Sequence, residues 1–476
     1  MSKKMTIAQP RVLLEEPHNC CDIKDIQNVL CAFFDPLVAY DDDMNFVPGL
    51  ATAWTISDDA RTWTFSLRHG VTFHNGASLD ADAVVYSLER MARPDMGVTL
   101  GAPGVYNQYL GDMNIRALGP GTVQIRLASP MADLLDVLVT GYILPPDIVA
   151  ATGAQFKARP VGTGPYRFTE FRENEFVRAV KNHDYFGPQP WPDSIEWRAV
   201  ADPDRRIQMV REGAVDIAVG PPYTVDVSAP VARISTRGTT TYILIFNAGD
   251  EVMSDPRIRR ALNLGIDRAA LIEHVLNNAG FPLHGFISPA HYGYDDRCPG
   301  FSHAPAEARK LLAEAGYPDR LKLTLDSPTS MPDEAVHLSE ALAEQLLKIG
   351  VELEIVFTED RERYANKVRC KEIHHMCVFD SSPLSTYRVL KEKIDSRFQG
   401  SWWQGYANPA LESLLDKAQS TADPAQREAL YRQCYRILNE DPPWLYLYNY
   451  RHITCMNPAL SGWIPPVHGV FDPRYL

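Results

Sequence analysis

The chain has 476 residues, 45% of them hydrophobic and 22% charged, with 60 acidic against 47 basic side chains and a formal net charge of −13. This length exceeds what one hydrophobic core supports, so at least two lobes are expected, of ordinary soluble globular composition. The acidic balance argues against a nucleic-acid partner, because binding phosphates needs a basic surface.

Lys3 and Lys4 suit the start of an export signal, but no apolar run follows before Gln9-Pro10-Arg11. His18-Asn19-Cys20-Cys21-Asp22 comes next, and residues 46–68 read FVPGLATAWTISDDARTWTFSLR. From Gly70 the chain reads GVTFHNGASLDADAVVYSLER, and the Gly-rich loop after Gly101 carries Tyr106, Asn107 and Tyr109. The most apolar window, Leu134 to Pro146, is interrupted by Asp136, Thr140 and Gly141 and is too short to span a membrane.

Residues 160–218 are the most informative stretch. Gly162, Gly164 and Pro165 predict a tight bend of the kind that Gly and a φ-locked Pro tolerate. Tyr166 to Glu175 alternates as a strand, Asp184 to Pro188 reads as a turn, and Ile195, Trp197 and Ala199 alternate again. Asp202 to Gly213 predicts a helix, with Asp at its start, Ile207, Met209 and Val210 on the buried side, and Gly after its end. Further on, Ser254-Asp255-Pro256 predicts a capped helix whose arginines, Arg257, Arg259 and Arg260, form a solvated face. His303-Ala304-Pro305 starts another helix, which Gly316 ends. Val351 to Val356 alternates as a strand.

As an ordered series, these blocks resemble the family 5 solute-binding proteins of ABC importers, the dipeptide, oligopeptide and nickel-binding group. Residues 242–268 (YILIFNAGDEVMSDPRIRRALNLGIDR), 304–317 (APAEARKLLAEAGY) and 337–357 (HLSEALAEQLLKIGVELEIVF) extend the resemblance over nearly the whole chain. It implies an α/β, two-lobed periplasmic-binding-protein-like fold of the large type II class, with an extra subdomain inserted in lobe I. The main part of lobe I is expected at 1–45, 168–240 and 456–476, the inserted subdomain at 46–167, and lobe II at 241–455. Two chain crossings, near Thr239–Asn247 and Asn457–Trp463, would form the hinge. The Pro-rich tail (Pro465, Pro466, Pro473) would strap back onto lobe I.

The resemblance also points to candidate ligand contacts. In lobe II the segment from Cys377 to Tyr406 is expected to face a cleft. Peptide-binding members typically carry an acidic loop here that clamps the ligand's α-ammonium. This chain departs from that pattern: Ser382-Pro383-Leu384-Ser385 occupies the region, Leu384 stands where the acid would be, and the nearest carboxylate is Asp380. A desolvated ammonium without a counter-charge is costly. Either Asp380 replaces the clamp or the ligand is not an ordinary peptide. Trp402 and Trp403 are adjacent indoles, and an extended backbone sends them to opposite sides. Trp403 is the candidate for the cleft, where an indole offers a flat apolar face and attracts cations. Tyr387 is a further candidate, and Arg388 suits a carboxylate or phosphate. In lobe I, Cys20 and Asp22 are candidate contacts, with Tyr106 as part of a wall. Cys20 and Asp22 each have a packing alternative: a buried thiol and a helix-capping Asp.

Enzyme motifs are mostly missing. There is no GxSxG elbow, HExxH or P-loop, and Gly162-Thr163-Gly164 lacks the third Gly of a dinucleotide fingerprint. Cys370, His374, His375 and Cys377 fit no standard zinc spacing. His18 and Cys20 are too close in sequence to meet as base and nucleophile without a special turn. No catalytic residues, metal or cofactor are therefore expected. The expected partners are a small-molecule ligand and an ABC permease, with no nucleic acid and no membrane span, and the protein is expected to be a monomer. The site of action is periplasmic if a signal peptide has been removed. The alternative is a cytoplasmic protein on the same scaffold, an enzyme or sensor, motivated by the eight cysteines without disulfide spacing.

Overall fold

The computed structural model describes residues 3–19, 22–96, 104–220, 231–330, 332–460, 462–464, 466–472 and 474. The chain divides into two compact units: unit one is Met1–Thr236 with His452–Leu476, and unit two is Arg237–Arg451. It leaves unit one within the strand Ala232–Phe246 and returns within the strand Trp444–Met456.

Unit one is built on the strand Lys4–Gln9, buried along all but its first residue. Parallel neighbours lie on both sides, Ser194–Ala199 and Ile217–Val219. Phe176–Lys181 and Tyr166–Arg172 extend the sheet antiparallel. Phe33, Phe34, Tyr166, Trp197 and Met456 share the core beneath it. Within the sheet, Glu196 is buried because Lys4, Arg178 and Arg198 surround its carboxylate, which holds its pKa down at about 2 against the cost of burial. A separate antiparallel sheet takes Ala51–Ile56, Thr62–Leu67, Thr122–Arg126 and Asn114–Gly119 in that order. Asp80 caps the helix Ala81–Met91, accepting from the Ala83 amide at 3.0 Å.

The bend expected at Gly162, Gly164 and Pro165 is present, at residues 163–165. Neither glycine has a positive φ. They are glycines because the helix Lys24–Phe33 ends against them. A Cβ on Gly162 would stand 2.1 Å from the Phe33 carbonyl oxygen, and one on Gly164 2.5 Å from that of Ala32. What requires glycine at this bend is close backbone approach.

The tail is tied to the same helix. The Phe471 amide donates to Asn28 Oδ1 at 2.6 Å. Asp35, fully buried, accepts from Thr163, Tyr185 and Arg474 at 2.8, 3.0 and 3.0 Å. Pro465 and Pro473 lie outside the described residues.

In unit two the parallel strands Leu321–Pro328 and Val351–Thr358 run beside Met376–Ser381, which pairs antiparallel with Thr241–Phe246. Helices include Pro256–Gly265, Pro305–Glu314, Ala335–Leu347, Pro409–Gln419 and Pro424–Glu440. Asp255 caps the first of these through the Arg257 amide at 2.8 Å.

The solvated face expected there is broken by Arg259, which is 3% exposed. Its guanidinium donates to the carbonyls of Pro442, Met253 and Ser254 at 2.9, 2.7 and 2.8 Å and pairs with Asp441. Carbonyls at a helix start and at a distant turn need donors, and Arg supplies several in one plane. Arg257 remains exposed, as expected.

Among the described residues, no helix is long and apolar enough to cross a membrane. Cys31, Cys298, Cys370, Cys377, Cys434 and Cys455 are free thiols.

Candidate functional site

The segment from Cys377 to Tyr406 folds in unit two as a strand, a loop, a helix and a second loop. The strand Met376–Ser381 places Asp380 opposite Tyr242. Asp380 is its one half-buried residue. Ser382 donates its hydroxyl to the Asp380 carboxylate. Lys393 Nζ, from the following helix, donates to the Asp380 backbone carbonyl at 2.8 Å. This carboxylate therefore has a fixed orientation at the end of a paired strand.

Ser385 caps the helix Thr386–Lys393 by accepting from the Arg388 amide at 3.1 Å. Tyr387 and Arg388 lie on its buried side, 6% and 3% exposed. Arg388 Nε donates to Glu392 Oε1 at 2.8 Å, one turn on. A buried pair of this kind offsets the desolvation of both groups, so Arg388 already holds a carboxylate of its own chain.

The second loop carries the indoles. Gly400 sits where a Cβ would meet the Glu392 carbonyl oxygen at 2.2 Å. Lys371 Nζ donates to the carbonyls of Gly400 and Ser401 at 2.9 and 2.8 Å. Burial lowers the Lys371 pKa to about 8. Trp402 packs on Phe379 with centroids 4.7 Å apart at 39°. Trp403 Nε1 donates to the Tyr406 carbonyl at 2.6 Å. Both indoles are half-buried, each against a different partner. Lys393 and Arg361 also lie over the Phe379 ring, at 5.6 and 5.5 Å.

With the Asp380 side chain projecting to the other face of its strand, opposite Tyr242, the structure brings Trp402, Phe379 and Lys393 into one group. Trp403 adjoins it on the same loop, while Tyr387 and Arg388 lie inside the helix packing. A half-exposed carboxylate suits a cationic group, and the indole surface suits an apolar one. Lys371, Lys393 and Phe379 escaped the sequence reading. A lysine on a predicted helix or turn carries no mark of burial, and a lone Phe in a strand reads as core.

In unit one, Cys20 lies outside the described residues. Asp22 is half-buried, and Ile23 rather than Asp22 is the N-cap of the helix Lys24–Phe33. Tyr106, 3% exposed, bonds through its hydroxyl to Thr140 Oγ1 at 2.8 Å. Thr140 gives its own proton to the Val137 carbonyl at 3.2 Å, so Tyr106 is the donor of the first bond. His18 is fully buried. Its Nε2 meets the Tyr142 carbonyl at 2.8 Å and its Nδ1 meets Arg90 at 2.9 Å. Arg90 can only donate and the carbonyl can only accept, so the ring is neutral with its proton on Nε2. Burial lowers its pKa to about 4, consistent with that tautomer.

Of the residues weighed as a metal cluster, the two histidines are held by separate partners, and Cys370 is exposed. His374 Nδ1 meets Asp326 at 3.0 Å, His375 Nδ1 accepts the Thr324 amide at 3.0 Å, and Cys377 is buried with its thiol pushed up by desolvation.

Solved structures share this fold. The periplasmic binding protein DppA of Helicobacter pylori, in complex with the peptide STSA, matches with a TM-score of 0.83 at 23% identity, over 100% of this chain and 98% of that one. The binding protein AgaA of A. tumefaciens R10, in complex with agropinic acid, matches with a TM-score of 0.81 at 24% identity, over 99% and 97%. Two unlike ligands on one scaffold show that the likeness carries the fold and leaves the ligand open. The class of fold is therefore the α/β periplasmic-binding-protein type. The chain belongs to the bacterial extracellular solute-binding proteins of family 5, whose middle-region model matches residues 45–413. Among relatives, the glutathione-binding protein GsiB of Salmonella paratyphi A is 28% identical over 461 residues, covering 93% of this chain and 88% of the relative. As a member of this family the chain binds a small solute for ABC-type import.

Proposed function

We propose that the solute is peptide-like or otherwise derived from amino acids, with an ammonium group directed at Asp380 and an apolar portion against Trp402 and Trp403. The observation that carries this is the Asp380 carboxylate. It is oriented by Ser382, and its residue's backbone carbonyl accepts from Lys393, on a strand whose other face carries Trp402 through Phe379. The name of the relative GsiB supports a ligand of tripeptide size. On this reading Asp380 takes the part of the ammonium clamp that Leu384 lacks. Trp403 supplies a flat face, and Tyr387 and Arg388 act by shaping the helix beneath. Asp22 and Tyr106 remain candidates of unit one. The reading includes action outside the cytoplasmic membrane as a monomer that delivers to a permease. It also keeps the division into lobe I (1–45, 168–240, 456–476), an inserted subdomain (46–167) and lobe II (241–455).

The test is native mass spectrometry of the purified protein, followed by calorimetry with reduced glutathione, S-methylglutathione and a panel of di- and tripeptides. Micromolar or tighter binding of at least one amino-bearing compound is expected, with loss on N-acetylation. No small molecule retained and no binding in the panel would overturn the reading.

A further inference from the structure

The loop Ser382–Ser385 follows the last ladder residue of its strand, since the pairing ends at Thr241 with Ser381. Its carbonyls are therefore off the sheet and need other partners if buried. Pro383 is buried and, as a proline, has no amide hydrogen to donate. Its carbonyl accepts from His291 Nε2 at 3.0 Å, across 92 residues of chain. A carbonyl can only accept, so this nitrogen carries the proton. Nδ1 is then an acceptor, and Ser288 Oγ lies 2.9 Å from it. The next residue, Tyr292, completes a second fastening: its carbonyl accepts the Thr386 hydroxyl at 2.5 Å. The Tyr292 ring in turn meets Tyr431 edge-on at 5.9 Å, which ties the segment to the helix Pro424–Glu440.

A serine beside a histidine invites a catalytic reading, but Ser288 is 0% and His291 5% exposed, so neither reaches a substrate. We infer that His291, its proton placed by the Pro383 carbonyl and its Nδ1 met by Ser288, is a positioning residue. It holds the Pro383 carbonyl and so orients Leu384, which is half-exposed between buried neighbours. This rests on the reading that Asp380 and the loop after it face the solute.

The experiment compares His291→Phe, which keeps the ring and removes the donor, with His291→Gln, which restores an N–H. Hydrogen exchange is followed over residues 380–388, and solute affinity by calorimetry with whichever compound of the panel the parent binds. Loss of one buried hydrogen bond corresponds to roughly a tenfold rise in local opening. The expected result is that rise in His291→Phe, confined to this loop, with weaker solute binding, and return of both towards the parent in His291→Gln. Unchanged exchange in His291→Phe, or no recovery in His291→Gln, overturns the positioning role. Raised exchange with unaltered affinity overturns its bearing on the solute. If the parent binds nothing in the panel, the proposed solute class fails, while the exchange comparison still decides the positioning role.

Discussion

Trp402 lies against Phe379, ring centroids 4.7 Å apart, and this contact joins the indole loop to the strand that carries Asp380. The two segments are more than twenty residues apart in the chain. An aromatic pair of this geometry contributes beyond its buried area, by about 0.5–1.5 kcal/mol. Trp402→Ala should therefore loosen the loop as well as remove an indole face. Its effect on solute affinity should exceed that of Trp402→Phe, as read by calorimetry. Equal effects would separate Trp402 from the site.

Trp403 donates to the Tyr406 carbonyl, yet remains half-buried. Trp403→Ala is expected to weaken solute binding by about 1–3 kcal/mol, the range of an interfacial aromatic anchor. The thermal unfolding midpoint should shift only slightly. Unchanged affinity in calorimetry would remove Trp403 from the contact surface.

Arg259 tests what burial does to an otherwise ordinary surface pattern. Its guanidinium serves three carbonyls and Asp441 from a position 3% exposed. Arg259→Lys keeps the charge but loses the planar fork, and should cost about 2–4 kcal/mol. Arg257→Lys, on the exposed side, should stay within about 0.5 kcal/mol. Urea unfolding of the two variants side by side checks this. Equal stabilities would contradict it.

The two units should respond to pH in opposite directions at two identified groups. His18 in unit one is neutral when folded, its pKa lowered by burial to about 4 from 6.5. A depressed folded pKa gives stability that is present above about 6.5 and lost as pH falls towards 4, by up to about 3 kcal/mol. His18→Gln should flatten that part of the acid limb in denaturant melts at pH 7 and pH 5. An equally steep limb in the variant would assign it elsewhere.

Glu334 in unit two is 8% exposed and accepts the Tyr448 hydroxyl at 2.9 Å. Burial raises its pKa from 4.5 to about 7. A raised folded pKa gives stability that is complete below about 4.5 and lost as pH rises through 7, again by up to about 3 kcal/mol. Glu334→Gln still accepts from Tyr448 and should be more stable than the parent at pH 8, with the gap closing at pH 5. A constant gap across that range would show that Glu334 does not titrate there.

Much of the fold was legible because local signals agree with each other. Asp202 before Pro203 and Asp255 before Pro256 mark helix starts that the structure confirms through their amide contacts. The family was legible from ordered blocks. The site was less so. Burial of Arg388 against Glu392 depends on what packs over the helix, and an i,i+4 pair reads the same whether solvated or enclosed. His291 offered no signal at all, because its partner carbonyl lies 92 residues away.

The order of residues alone determined where helices begin, which strands alternate and that the chain is a solute-binding protein, since caps, periodicity and block order act over short distances. Tertiary structure decided the rest: that Gly162 is needed for closeness to Phe33, that Arg259 is interior, that Phe379 and Lys371 hold the indole loop, and that Lys393 binds the Asp380 carbonyl. Those outcomes depend on desolvation and on contacts between distant segments, and such quantities exist only once the chain has folded.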